Sequence, residues 1–206
     1  MLKILHADDA LVVVDKPAGM LAVPGRGDDK RDSALTQVLQ RYADARVAHR
    51  LDMATSGVMA FGRGTASQRA LSMAFERRDV HKRYVAVVAG CLARDDGEVD
   101  LPITVDWPNR PLQHVDFTLG KASLTRWRVL QRGDDRTRVQ LEPVTGRSHQ
   151  LRVHMAAIGH PMLGDALYAP ANVQAMAPRL LLHACRLTLP HPARLEPVTF
   201  DSAAPF

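Results

Sequence analysis

Short apolar runs rich in β-branched residues outnumber helical repeats along this chain, and they do not alternate with helices one for one. "LVVVDKPAG" (11–19) reads as a buried strand ending in a Pro-Gly turn. "GVMAFG" (57–62) and "KRYVAVVAG" (82–90) read as further strands, the second with a charged start. In "TRWRVLQRGDDRTRVQLEPV" (125–144), Thr125, Trp127 and Val129 alternate before a Gly-Asp-Asp turn, and Val139 and Leu141 after it, which predicts a hairpin. "RLLLHACRLTL" (179–189) and "EPVTF" (196–200) supply late strands. Three helices are expected among them. One follows an N-capping Ser33, with Leu35, Val38, Leu39 and Tyr42 at helical spacing. The others are "TASQRALSMAFERRD" (65–79) and "SHQLRVHMAAIGH" (148–160), the latter carrying Leu151, Met155 and Ile158 on one stripe and ending at Gly159. Without strict βαβ alternation, this order predicts an α+β fold around a mixed sheet.

No repeat and no long Pro/Gly/Ser linker divides the 206 residues, so a single domain over 1–206 is expected. "PGRGDDKRDS" (24–33) reads as a polar loop. The longest apolar runs fall far short of a membrane span, and residues 1–6 lack the features of a signal peptide. Cys91 and Cys185 form no paired motif, which excludes a disulfide framework and a cysteine-zinc site and fits a reducing cytoplasm. The formal charge of +5 and pI of about 9.6 are those of a nucleic-acid binder, though many basic proteins bind none.

Several familiar sites are missing: there is no P-loop, dinucleotide fingerprint or nucleophile elbow. "GRGTAS" (62–67) lacks the Lys-Ser/Thr ending of a phosphate loop and reads as a strand-to-helix turn. His149 and His154 are five apart, so they diverge on a helix where a metal pair needs four. No cofactor and no metal is expected. Three clusters remain. "HRLDMATSG" (49–57) runs an ionisable group into a small-residue turn. "HKRY" (81–84) sets a tyrosine at a strand entrance, and "TGRSHQLRVH" (145–154) opens a helix and presents a second arginine on its next turn. On local physics alone Asp52 is either a turn former or a catalytic carboxylate. Since helix openings favour anions, the three clusters could together hold a carboxylate, an aromatic platform and arginines around a nucleotide.

With these motifs in order and at these spacings, followed by "RLLLHA" and a final "HP", the chain resembles the RluA-type pseudouridine synthases, bacterial RNA-modifying isomerases. The resemblance spans nearly the whole sequence. It implies a mixed, mainly antiparallel central sheet with flanking helices and a central RNA-binding cleft. It also implies one catalytic domain without the N-terminal S4-type module of many relatives. The partner implied is RNA, with no membrane and no obligate protein partner. By resemblance Asp52 is the essential carboxylate, Tyr84 the active-site aromatic and Arg152 the basic residue that pairs with the aspartate. Arg50 matches an arginine proposed to fill the space left by an extruded base, and Leu182 forms the apolar wall of the uracil pocket. Arg147 and His149 contact phosphate or support Asp52, while Thr55, Ser56 and Gly57 shape the loop. The short chain, "PGRGDDKRDS" and "DWPNRP" (106–111) are similar to the branch whose members modify a 23S rRNA stem-loop and a tRNA anticodon loop. A single-substrate enzyme of the family, and an RNA-binding or RNA-folding protein without activity, are the alternatives.

Overall fold

The computed structural model describes residues 2–25, 27 and 31–206; the polar loop expected at 24–33 therefore lies partly outside the described residues. The chain divides into two compact units, Met1–Lys82 with His183–Pro205, and Arg83–Leu182 with Phe206.

The first unit is built on β1 (Lys3–Ala7), β2 (Leu11–Lys16), β3 (Ala45–Val47), β4 (Ser56–Arg63), β11 (Leu182–Pro190) and β12 (Pro197–Asp201). β1, β2 and β4 pair antiparallel in that order, and β3 also pairs antiparallel with β4. β4 runs parallel to β11, which pairs antiparallel with β12, so the sheet is mixed and mainly antiparallel, as expected. The continuous apolar run of β2 has a physical cause: Leu11, Val12, Val13 and Val14 are all fully buried, so both faces of the strand are covered. On one face Leu11 and Val13 meet Val58 and Ala60 of β4, Leu187 and Leu189 of β11, and Leu71 and Ala74 of helix α2 (Gly64–Arg77). Truncating a fully buried leucine such as Leu71 to alanine would cost about 2–5 kcal/mol. α2 has no side-chain cap and no acidic residue in its first turn, so its N-terminal end depends on this packing. Helix α1 (Ala34–Leu39) starts where expected, with the Ser33 hydroxyl accepting from the Thr36 amide at 3.1 Å, but ends before Tyr42.

The second unit carries β5 (His81–Ala89), β6 (Asp96–Asp100), β9 (Leu124–Arg132) and β10 (Arg136–Pro143), an antiparallel set in the order β5-β10-β9-β6. The expected hairpin is β9–β10, closed by the Gly133 amide bonding to the Arg136 carbonyl. A separate ribbon pairs β7 (Ile103–Val105) with β8 (Gln113–Val115). Helix α3 (Gln150–Ala157) begins two residues later than the periodicity predicts. It is buried on more than one stripe, because Gln150, Arg152, Val153 and His154 are covered along with Leu151 and Met155. The one-turn helix α4 (Ala171–Gln174) sets Val173 against Val87 and Leu163. Among the described residues no helix is long and apolar enough to cross a membrane.

Candidate active site

Asp52 lies in the loop 48–55 between β3 and β4, and that loop is tied down along its length. At its entrance the His49 ring stacks on Phe75 with centroids 4.4 Å apart, and its Nε2 accepts the Ala60 amide at 3.0 Å. Burial, aided by the charge of Lys82, lowers the His49 pKa to about 3, so the ring is neutral at physiological pH with its proton on Nδ1. The Thr55 amide bonds back to the Asp52 carbonyl at 3.1 Å, closing a tight turn that starts at the aspartate. The Met53 carbonyl accepts from the Gly19 amide at 2.8 Å and from Lys16 Nζ at 3.2 Å.

Lys16 is fully buried at the end of β2. Its ammonium also donates to the carbonyls of Pro17 at 3.0 Å and Met20 at 2.8 Å, so three N–H groups meet three acceptors. Burial lowers its pKa to about 8, against the pull of the nearby Asp52 charge. At neutral pH it remains a cation. Sequence reasoning passed over Lys16. The available signal was a lysine closing a strand that opens on four consecutive apolar residues.

The exit of the loop is fixed by "TSG". His183 Nε2 faces the Ser202 carbonyl at 3.2 Å and must donate there, so Nδ1 accepts the Ser56 hydroxyl at 2.9 Å. Gly57 has φ +117°, and a Cβ there would lie 2.3 Å from the Ala184 carbonyl oxygen across the parallel pairing. Only glycine suits both the conformation and the approach. Arg50, two residues before Asp52, is exposed on this loop. Thus Arg50 and Asp52 come together on one segment, with Lys16 behind them.

The other residues singled out in the sequence belong to the second unit. Tyr84 is on β5, half-buried, with Leu141 of β10 opposite it. Leu182 is buried at the first residue of β11. Arg147 is exposed and precedes α3, while His149 occupies the helix N-cap in a left-handed conformation, φ 55°. The turn leading to them is held by buried Gln150, whose Oε1 accepts from the Arg147 amide at 3.0 Å and the Thr145 hydroxyl at 2.7 Å. Arg152 is therefore in the first turn of α3. Its Nε and Nη2 donate to Asp165 at 2.8 and 2.5 Å, and its guanidinium carbon stands 5.0 Å from the Tyr168 ring centroid. His149 Nδ1 lies 2.6 Å from the Tyr168 hydroxyl. His154 turns instead to Thr125 and the Leu101 carbonyl, so the two histidines of this helix have separate partners. Neither Asp165 nor Tyr168 was assigned a role from the sequence.

The fold is that of one class of enzyme. The family model described as RNA pseudouridylate synthase matches residues 10–157, from the residue before β2 to the end of α3, and the chain belongs to that family. It is an enzyme, an isomerase that forms pseudouridine in RNA. Among curated relatives it is 50% identical over 206 residues to the dual-specificity RNA pseudouridine synthase RluA of Escherichia coli K12, covering 100% of this chain and 94% of that one. It is 48% identical over 204 residues to the protein of the same description from Yersinia pestis, covering 98% and 99%. Among solved structures, human RNA pseudouridylate synthase domain containing 1 superposes with a TM-score of 0.83 at 29% identity, over 100% of this chain and 84% of that one. The human protein domain containing 4 gives 0.79 at 27%, over 98% and 88%.

Proposed function

We propose that this enzyme isomerises one uridine in a 23S rRNA hairpin and one in a tRNA anticodon loop, in the cytoplasm, as a single catalytic domain. The relatives named as dual-specificity enzymes align along the whole chain at 47–50% identity, which supports two substrate classes. In the reaction the C1′–N1 glycosidic bond breaks and a C1′–C5 bond forms. C5 gives up its proton and N1 gains one, so the change is redox-neutral.

The observation that carries the assignment is the fixed loop holding Asp52 beside a buried cation. Asp52 is the catalytic carboxylate, acting either on the anomeric carbon or on the proton of the neighbouring 2′ carbon. On the family resemblance Arg152 is its basic partner, a guanidinium that can fix the geometry of a carboxylate. Tyr84 packs on the target base; a phenol with a pKa near 10 is a poor base at neutral pH. The uridine must leave its stack to react, at a cost of a few kcal/mol. Arg50 occupies the vacancy with its planar guanidinium. Leu182 walls the uracil pocket, and Arg147 and His149 contact phosphate or support the site.

The test is incubation with total tRNA and rRNA, without metal or cofactor, followed by pseudouridine mapping. One new site in each RNA class is expected; modification of a single class would reduce the reading to a one-substrate enzyme. Asp52→Asn should abolish turnover while stem-loop affinity persists, because phosphate neutralisation by Lys and Arg is untouched. Substantial activity in that variant would overturn the assignment.

A further inference from the structure

Asp165 is a fully buried carboxylate in "MLGDALYAP" (162–170) that the proposed reaction does not use. Its place is set by the backbone. Gly164 has φ +72°, and a Cβ there would lie 1.9 Å from the Arg179 carbonyl oxygen, so the chain is pressed against its neighbour immediately before the aspartate. Oδ2 accepts from Arg152 Nε at 2.8 Å. Oδ1 accepts from Arg152 Nη2 at 2.5 Å and from the amides of Leu167 at 2.9 Å and Tyr168 at 3.2 Å. The two amide bonds orient the carboxylate independently of the arginine. The resulting turn also carries Tyr168 back over the guanidinium it has just helped to place.

Arg152 is thereby fixed in two ways. Its edge is matched atom for atom by Asp165, and its face lies 5.0 Å from the Tyr168 ring centroid. The Tyr168 oxygen is held in turn by the Gln113 amide at 2.9 Å and meets His149 Nδ1 at 2.6 Å. A buried ion pair is weak evidence for stability, since well-packed apolar residues often serve as well. What this pair provides is orientation. Two of the five guanidinium N–H donors are spent on Asp165, which fixes the direction of the other three.

We propose that Asp165 and Tyr168 are positioning residues for the reaction: Asp165 sets the edge of Arg152, Tyr168 sets its face, and the Tyr168 phenol holds His149. This rests on the assignment of Arg152 to the site made above. Neither residue touches the substrate. Both act through side chains that do.

The test compares parent, Asp165→Asn, Tyr168→Phe, Arg152→Lys and the Asp165→Asn/Arg152→Lys double variant. Tritium release from a stem-loop labelled at uridine C5 gives kcat and KM, and circular dichroism confirms folding. Misplacing a group by about 1 Å costs on the order of 100-fold in rate, so Asp165→Asn should lower kcat by about that factor with KM within about threefold of the parent. Tyr168→Phe keeps the ring and loses one oriented hydroxyl, so a fall of about tenfold is expected. Because Asp165 acts through Arg152, the double variant should be little worse than the poorer single one. A residue serving only the fold would change melting temperature and leave kcat per folded molecule, and this non-additivity, unaccounted for. Parental kcat in both folded single variants, or losses that multiply in the double variant, would overturn the proposal. If Asp165→Asn does not fold, Tyr168→Phe decides: parental kcat overturns it and a lowered kcat at parental KM supports it. Unchanged variants of an active parent defeat this inference alone, whereas an inactive parent defeats the proposed function with it.

Discussion

Replacing Lys16 by methionine tests whether a buried ammonium fixes the Asp52 loop. Methionine keeps the apolar stem and removes the charge and all three donors. Hydrogen bonds to charged groups contribute about 1.5–3 kcal/mol each, so losing those to Pro17, Met20 and Met53 costs roughly 5–9 kcal/mol. Against this stands relief from burying the charge. A pKa lowered from 10.5 to about 8 corresponds to about 3 kcal/mol. Lys16→Met should therefore lose roughly 2–6 kcal/mol, read as a lower urea midpoint at unchanged slope. The pH dependence has a definite sign. Between pH 8 and 10.5 the unfolded chain binds more of the Lys16 proton than the folded one, so the parent gains stability as pH rises through that window. The variant lacks this gain, and the gap between the two should widen by about 3 kcal/mol from pH 7 to above pH 10. Activity should move oppositely, falling near pH 8 as the cation beside Asp52 is neutralised. Equal stability of parent and variant, or a gap independent of pH, would refute the reasoning.

Gly57→Ala combines a left-handed-side φ with a Cβ 2.3 Å from backbone, so it should lose roughly 2–6 kcal/mol in urea unfolding; parental stability would show that β4 and β11 can separate at no cost. Arg50→Ala should leave the fold intact, since the residue is exposed, yet impair activity on folded stem-loops. Stopped-flow fluorescence of 2-aminopurine beside the target uridine should show slowed unstacking, and unchanged kinetics would remove Arg50 from base extrusion. Turnover should survive exhaustive EDTA treatment with the RNA kept folded; activity restored only by added zinc would revive a metal reading.

The strands that were legible are those whose burial imposes a pattern. β2 and β4 are covered on both faces and read as unbroken apolar runs, and β9–β10 alternates around a turn with Gly133. β1 and β6 were missed because their burial is partial: β6 is "DGEVD", with Val99 buried and three exposed acids. β7 and β8 are three residues each, too short for any periodicity to register. α3 starts two residues later than expected because the cap position is His149, left-handed and in contact with Tyr168.

Asp52, Arg50, Tyr84 and Arg152 were singled out through the family resemblance, and nothing local says how any of them is held. The Ser56–His183 bond joins positions 127 apart, and the Met53 carbonyl reaches Lys16 across 37. Each such contact pays the loop-closure entropy of the segment it spans, a cost that grows only slowly with length. Distant partners are therefore as usable as near ones, and they leave no trace in spacing. A local turn could place the Asp52 carboxylate only as well as the turn itself is ordered. Pinning its entrance through His49, its middle through Met53 and its exit through Ser56 transfers to the loop the rigidity of three separate strands, β2, β4 and β11. Substitutions at Lys16 or His183, remote in sequence from Asp52, should thus reduce turnover more than RNA affinity, because they loosen the carboxylate and leave in place the arginines proposed to contact phosphate.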